Sequence, residues 1–378
     1  MPKYRNLLPG DPAPWFSARA NTRPEFAFDV AGGRYVVLCF FATADARGRS
    51  AVEAAFAAPS LFDDDKAAFF GVSIDPADEA EKRVVGRLPG FRFFWDFDGE
   101  VSKLYGAIPA DADTIKGGVP LRRIWVVLDP TLRVLNVIPF VHDGSDAKEL
   151  VGYLQSLPPP SRFAGFEVQA PVLILPNVFE AELCEKLISL HRTRGNEETG
   201  FMREVSGKTV QLHDHGHKRR RDHIIEDTEI IQLVQGRFNR TVVPELLKAY
   251  QYKATQMERF LVGCYSAEDG GHFVAHRDNT TKGTAHRRFA ASVNLNSDFD
   301  GGEVSFPEYG PKGFKPPPGC AVVFSCSLLH AVSKVTRGCR YAFLPFLYDD
   351  EAAKIREANR AFLASDRVDR DAADQLET

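Results

Sequence analysis

The run GHFVAHRD at 271–278 decides how the second half of this chain folds and what it carries. It reads as a strand, and because side chains alternate along a strand, His272, Val274, His276 and Asp278 share one face. His276 and Asp278 then offer an imidazole and a carboxylate to the same point. A chain with 10 histidines meets a His-x-Asp pair about once by chance, and a polar strand end explains such a pair equally well, so context has to decide. His330 supplies it, standing after the apolar run Ala321 to Phe324 and just before another short strand. Two histidines and one carboxylate on one side of a metal make the facial set that suits Fe(II) and leaves coordination positions open.

From Met257 to Tyr348, short apolar runs separated by Gly, Pro, Asn and Asp clusters predict an antiparallel sandwich or barrel. Arg340 opens a strand expected over Arg340 to Tyr348, and a buried arginine there suits a dicarboxylate, because its planar fork pairs with a carboxylate through two bonds. Ser292, Asn294 and Asn296 share one strand face and Phe289, Ala291, Val293 and Leu295 the other, so the polar face is free to line a pocket. Before this β region, Asn177 is expected to cap a helix carrying Leu183, Leu187 and Ile188. A second helical stretch runs from Glu226 to Tyr250, with Pro244 interrupting it or opening another helix. Lys312 to Pro318 reads as a loop.

Tyr265 in LVGCYS, HRD at 276–278, SVNLN at 292–296, GGEVSFPEYG at 301–310, PPGCAVVFSCSLLHAV at 317–332 and RGCRYAF at 337–343 arrive in an order that resembles the prolyl 4-hydroxylase-like family of Fe(II)/2-oxoglutarate-dependent dioxygenases. The resemblance spans roughly Val172 to Tyr348. It implies a double-stranded β-helix (jelly roll) with supporting helices, with His276, Asp278 and His330 as metal ligands and catalytic centre. It also implies that Arg340 binds the distal carboxylate of 2-oxoglutarate, with Tyr265 and Asn294 lining that co-substrate's pocket. Relatives often carry an aromatic residue in place of Asn294, and collagen-type relatives a lysine in place of Arg340. The implied reaction consumes dioxygen, releases succinate and CO2, and hydroxylates an amino acid, a peptidyl proline or a related small molecule, with ascorbate suggested as an accessory reductant.

In the first half, strands at Tyr35 to Phe41, Ala67 to Val72 and Arg123 to Leu128 alternate with helical stretches, among them Ala51 to Phe56, which predicts an α/β fold. Ser145 is expected to cap a helix carrying Ala147, Leu150, Val151, Leu154 and Leu157, which ends at Pro158-Pro159-Pro160. GDPAPWF at 10–16, VVLCFF at 36–41, GVSIDP at 71–76, LYGA at 104–107 and RIWVVLDP at 123–130 resemble a peroxiredoxin of the thioredoxin fold. Peroxidatic chemistry needs a thiolate at the start of the helix after the 36–41 strand. Arg47-Gly48-Arg49-Ser50 stand there instead, with Ser50 expected at the position of the missing cysteine, and Cys39 lies inside the strand. The expected organisation is a redox-inactive peroxiredoxin-like domain at 1–160, kept for docking, homodimerisation or substrate presentation, a dioxygenase domain at 166–350, and a charged helix and tail at 351–378.

Composition sets the outer bounds. With 378 residues, 44% hydrophobic and 26% charged, the chain reads as globular with two domains. A net charge of −4, from 47 basic and 51 acidic residues, gives no general attraction to nucleic acid or anionic membrane, and no such partner is expected. The start MPKYRNLLPGDPAPWF lacks a secretory pattern, no apolar run is long enough to span a membrane, and six dispersed cysteines fit a reducing, cytoplasmic setting. Cys264, Cys320, Cys326 and Cys339 read as core fillers. The basic, histidine-rich segment His213 to His223 reads as a solvated loop near the pocket. His272 is expected on the ligand face, and His286-Arg287-Arg288 reads either as a substrate contact or as an exposed junction. The competing functional readings are a non-catalytic or oxygen-sensing binding protein and a thiol peroxidase.

Overall fold

The computed structural model describes residues 3–112, 120–205 and 207–369, without the side chains of 364–369. The chain divides into two compact units, Met1–Gln169 with Pro307–Gly310 and Ala170–Phe306 with Pro311–Thr378.

The first unit is built on β1 (Ser17–Ala20), β2 (Arg23–Ala27), β3 (Tyr35–Ala42), β4 (Ala67–Ser73), β5 (Phe91–Trp95), β6 (Ile124–Leu128) and β7 (Val134–Pro139), with α1 (Ala46–Phe56), α2 (Pro76–Ala80), α3 (Glu100–Leu104) and α4 (Ser145–Ser156). Its sheet order is β2-β1-β5-β4-β3-β6-β7, with β3, β4 and β5 parallel and β6 and β7 antiparallel, the thioredoxin-like arrangement. Every residue of β3 and β4 is buried, as strands covered on both faces require. Alternation sorts them into two cores. Val36, Leu38 and Phe40 pack with Phe28, Val101 and Tyr105, whereas Val37, Cys39 and Phe41 pack with Ala51, Val52 and Leu150 of α1 and α4.

Two local expectations are corrected here. Helix α1 begins at Ala46, capped by Asp45, which accepts from the Gly48 amide (2.8 Å), so Arg47 to Ser50 already lie within the helix and Ser50 is exposed. Ser145 is the first residue of α4, not its cap. Gly144, in the left-handed region at φ +73°, precedes the helix, and the Ser145 hydroxyl donates to Asp143 Oδ1 (2.8 Å).

The second unit contains β8 (Leu173–Leu175), β9 (Glu197–Glu198), β10 (Phe201–Val205), β11 (Lys208–His213), β12 (Lys218–Arg219), β13 (Arg221–Ile224), β14 (Gln256–Glu258), β15 (Leu261–Ser266), β16 (His272–His276), β17 (Phe289–Asn294), β18 (Val304–Ser305), β19 (Gly313–Phe314), β20 (Ala321–Ser325), β21 (His330–Val332), β22 (Cys339–Phe343), β23 (Phe346–Tyr348) and β24 (Leu363–Asp369). Its helices are α5 (Ala181–Thr193), α6 (Thr228–Thr241), α7 (Val243–Tyr250) and α8 (Asp350–Ala358). A large sheet runs β14-β23-β17-β22-β15-β13-β9, with β20 joined to β17 and β8 to β20; a smaller one runs β12-β16-β21-β18-β19. This is the double-stranded β-helix with supporting helices. One face of the large sheet, carrying Val262, Cys264, Ala291, Val293, Tyr341 and Phe343, packs on Leu183, Leu187, Ile230, Val234, Phe238 and Leu246 of α5, α6 and α7. Burying each large apolar side chain here contributes about 1.5–3 kcal/mol. The alternate residues Gly263, Tyr265, Ser292, Asn294 and Arg340 are left to the opposite face.

Four further readings change. Asn177 sits three residues ahead of the α5 N-cap, Glu180, with φ +55°, and caps nothing. Helix α6 is capped by Asp227, and of the two alternatives for Pro244 the structure has the second, with the proline opening α7. The strand expected over Arg340 to Tyr348 is two, β22 and β23, parted at Leu344-Pro345, because proline has no amide to give the ladder. The 312–318 segment includes the short strand β19. The charged carboxy-terminal stretch is a helix, α8, followed by a strand, β24, that pairs in parallel with β11; residues 370–378 of the expected tail lie outside the described residues.

Candidate metal centre

Antiparallel pairing of β16 with β21 sets His276 directly opposite His330, and Asp278 follows just past the end of β16. Their ligand atoms lie within 4.8 Å of one another; His276 Nε2 is 3.5 Å from Asp278 Oδ1 and His330 Nε2 is 3.3 Å from Asp278 Oδ2. Each imidazole is oriented from behind. His276 Nδ1 contacts the Val274 carbonyl (2.8 Å) and His330 Nδ1 the Leu328 carbonyl (3.0 Å). A carbonyl can only accept, so Nδ1 carries the proton in both rings and the Nε2 lone pairs are left for a metal. Burial, reinforced by neighbouring His276, pulls His330 down to about 4, so it is the neutral ligand a cation needs at neutral pH. Burial opposes ionisation of Asp278, but His330 and His276 outweigh it and hold the carboxyl well below the usual range.

The two ligand-bearing segments are stitched together. The Asp278 amide donates to the Cys326 carbonyl (2.9 Å), Arg277 donates to the Ser327 carbonyl, and Asn279 Nδ2 donates to Ser327 Oγ (2.8 Å). Phe273 stacks on His276, with ring centroids 3.5 Å apart. That contact exposes an irregularity in β16, a register shift between Phe273 and His276. A bulge of this kind turns the strand over, so Phe273 rather than His272 shares the side of His276. His272 is thereby corrected: its ring contacts the Gly270 and Gly216 carbonyls and, with His215, Arg219 and Lys334, lines a groove of about 400 Å³ whose lining does not include the three candidate ligands.

Arg340 is 1% exposed. It donates from Nη2 to Ser292 Oγ (2.6 Å) and from Nε and Nη2 to Asn294 Oδ1 (3.1 and 3.0 Å), while Asn294 Nδ2 donates to the Pro316 carbonyl (2.8 Å). Tyr265 presents its ring 5.4 Å from the guanidinium. Gly302, at φ +65°, keeps this space open, since a Cβ there would stand 2.9 Å from Arg340 Cδ. Burial lowers Arg340 to about 10, which leaves it charged at neutral pH. Its Nη1 is buried with no hydrogen-bond partner, and no protein carboxylate pairs with it among the described residues. An unpaired buried donor of this kind costs about 1–3 kcal/mol until a ligand satisfies it.

The segment read as a solvated loop forms β12 and β13 and turns three of its charged side chains into the interior. Lys218, Arg220 and Asp222 are 3%, 8% and 3% exposed. Arg220 grips Asp222 through Nε–Oδ1 (2.6 Å) and Nη2–Oδ2 (2.7 Å) and donates from Nη1 to Tyr265 Oη (3.3 Å); Lys218 Nζ donates to Thr199 Oγ1 and the Gly200 carbonyl. Gly263 lets Arg220 cross β15, because a Cβ there would meet Arg220 Cδ at 2.9 Å. Alternation in KRRRDH, with Lys218, Arg220 and Asp222 two apart, is the signal that could have found them. His286 and Arg287 are likewise buried, donating to Glu258 at 2.9 Å each, and Arg287 Nη1 also reaches the Asp278 carbonyl (3.4 Å). The exposed-junction reading is corrected accordingly. Cys264, Cys320 and Cys326 are buried and Cys339 half-buried, all as free thiols.

A double-stranded β-helix that gathers a His-x-Asp and a distal His around one point, and carries a buried arginine on β22, has the donor set and the cation expected of a 2-oxoglutarate-type oxygenase fold. Sequence comparison agrees. Residues 260–348 match the 2OG-Fe(II) oxygenase superfamily and residues 9–134 match the AhpC/TSA family, so the chain carries an oxygenase-superfamily region behind a peroxiredoxin-like one. The first of these families implies Fe(II) and 2-oxoglutarate as the groups such a site serves. Among similar proteins are a PKHD-type hydroxylase of Cupriavidus metallidurans, 35% identical over 127 residues, covering 31% of this chain and 54% of the relative. Another is the PKHD-type hydroxylase PiuC of Pseudomonas aeruginosa, 36% identical over 91 residues, covering 22% and 39%. The chain thus spans about half the length of the first and less of the second. Solved structures that resemble it include a Trichoplax adhaerens prolyl hydroxylase in complex with a hypoxia inducible factor peptide fragment (16% identity, 50% of this chain and 86% of that one, TM-score 0.39). Peroxidoxin BcpB of Mycobacterium tuberculosis aligns with 23% identity over 40% of this chain and 99% of its own, TM-score 0.34.

Proposed function

We propose that this protein is an Fe(II)- and 2-oxoglutarate-dependent dioxygenase that hydroxylates an amino acid, a peptidyl proline or a related small molecule, releasing succinate and CO2. The observation that carries the reading is the pairing of an oriented His276, Asp278, His330 set with a buried arginine whose Nη1 is unsatisfied. The donor set fits Fe(II), two neutral imidazoles and a carboxylate with open positions. The Arg340 fork fits the distal carboxylate of a keto-diacid.

Bound Fe(II) with 2-oxoglutarate supplies the dioxygen activation and oxidative decarboxylation that this chemistry needs. The chain contributes position and environment. His276 and His330 present Nε2 lone pairs because the Val274 and Leu328 carbonyls hold the Nδ1 protons. Arg340 orients the co-substrate, Ser292 and Asn294 hold Arg340 in place, and Tyr265 lines the same pocket. Arg220 donates to the Tyr265 oxygen, which leaves the phenol proton free to donate toward a ligand. Ascorbate as an accessory reductant rests on the resemblance alone, a homodimer through the amino-terminal unit on the missing peroxidatic cysteine, and a cytoplasmic setting on the dispersed cysteines and the lack of a secretory pattern at the start of the sequence. Among the described residues no helix is long and apolar enough to cross a membrane.

The test is Asp278→Ala. The full chain with Fe(II), 2-oxoglutarate and a panel of amino acids and prolyl peptides should release succinate. The variant should lose both metal binding and succinate release. Retained succinate production in Asp278→Ala would overturn the reading.

A further inference from the structure

Arg259 stands just ahead of β15, between the two halves of the site. Its backbone is in the left-handed region at φ +63°, a strained conformation for a non-glycine residue that tends to persist at functional sites. On one side its guanidinium lies 3.7 Å from Asp222 Oδ2, and Asp222 connects through Arg220 to Tyr265. On the other side it lies 5.7 Å from the Phe346 ring centroid, the ring over which Arg287 also sits at 4.0 Å, and Arg287 reaches the carbonyl of Asp278.

Asp222 has little left to offer Arg259. Its Oδ1 accepts from Arg220 Nε, and its Oδ2 accepts from Arg220 Nη2 and from Thr199 Oγ1 (2.6 Å). Among the described residues Arg259 therefore makes one long ion pair and no hydrogen bond to the protein, and its side chain is 31% exposed. The surrounding charge is unbalanced: Arg220, Arg259 and Arg287 face Asp222 and Glu258, Glu258 is shared with His286 and Arg356, burial pushes the Lys218 ammonium well below its ordinary range, and Asp278 belongs to the candidate triad. Burial and the like charges of Arg220 and Arg287 lower Arg259 to about 10, and Asp222 and Asp278 offset this only in part. Arginine's planar fork is built for a carboxylate.

We propose that Arg259 is the anchor for a carboxylate on the prime substrate, so that the molecule hydroxylated is an acid and not a neutral or cationic compound. This rests on the dioxygenase reading above and adds the substrate's charge to it. Arg340 serves the co-substrate and Arg259 the substrate.

The full chain, loaded with Mn(II) and 2-oxoglutarate, is titrated with a panel of N-acetyl amino acids and prolyl dipeptides, each offered as the free acid and as its carboxamide. Binding is read by calorimetry. Free acids should bind at least 10-fold more tightly than their carboxamides, Arg259→Gln should abolish that preference, and Arg259→Lys should restore part of it. Equal binding of acid and amide, no binding by any acid, or a preference that survives in Arg259→Gln overturns the proposal. Loss of 2-oxoglutarate affinity instead of acid affinity in Arg259→Gln overturns it too. If the wild-type chain takes up neither Mn(II) nor 2-oxoglutarate, the dioxygenase reading fails and this proposal falls with it; if it takes up both and shows no acid preference, only this proposal fails.

Discussion

A guanidinium buried as completely as that of Arg340 ordinarily sits against a carboxylate, yet its protein partners are a serine hydroxyl and an asparagine amide. If Arg340 is the co-substrate anchor proposed above, it is held for a ligand at the expense of stability. Arg340→Met should therefore stabilise the chain by about 1–4 kcal/mol, on the precedent of buried charges replaced by apolar groups, while abolishing 2-oxoglutarate binding. Thermal unfolding and calorimetric titration of the same variant check both. Arg340→Lys should keep the charge, lose the fork and weaken 2-oxoglutarate about 10-fold or more, because a point charge cannot replace two parallel bonds. A destabilised Met variant would mean that Arg340 supports the fold.

At the scale of elements, the site depends on how β14, β16 and β21 are tied. Glu258 at the end of β14 is 9% exposed and accepts from His286 and Arg287, and Arg287 reaches the backbone of Asp278. Burial alone would raise the Glu258 carboxyl, but His286 and Arg287 draw it down to about 2 from an unfolded value near 4.5. A lowered carboxyl contributes stability above its unfolded pKa and loses it as pH falls toward its folded one. Stability should then decline between about pH 4.5 and 2, with a shallower slope in Glu258→Gln and lower stability for that variant above pH 5. Denaturant unfolding across pH 3–7 measures both, and an unchanged slope would remove Glu258 from the account. Metal affinity should fall in the same variant, since the brace behind Asp278 loosens; outer partners of this kind are typically worth about 10- to 100-fold.

At the scale of the molecule, the two units carry different chemical groups. The first keeps a thioredoxin-like sheet with its single thiol, Cys39, fully buried among Val37, Phe41 and Val52, where burial raises the thiol well above its ordinary value. A thiol that stays protonated inside a core is neither nucleophilic nor accessible. The full chain should therefore consume no hydrogen peroxide above buffer, and Cys39 should resist alkylation until the protein is unfolded. Peroxide turnover, or rapid labelling of Cys39 in the native chain, would restore the peroxidase reading.

Strand alternation and turn residues sufficed from the sequence alone to predict an α/β region followed by an antiparallel sandwich or barrel, because period is a local property of a chain. The order of HRD and His330 picked out three side chains whose ligand atoms the fold brings within 4.8 Å of one another, and the particular folds came with the family resemblances. Helix starts were less legible. Asn177 and Ser145 have the chemistry of caps, but Glu180 and Gly144 hold those positions, since where a helix begins depends on what it packs against. Only the tertiary structure decided which face each strand turned inward. The irregularity in β16 moved His272 away from His276, and the pairing of β13 with β15 carried Arg220 and Asp222, which read as solvated charges, into the interior beside Tyr265. The burial of Arg340 and the unspent hydrogen-bond capacity of Arg340 and Arg259 arise from neighbours distant in the chain, and one-dimensional spacing does not encode them.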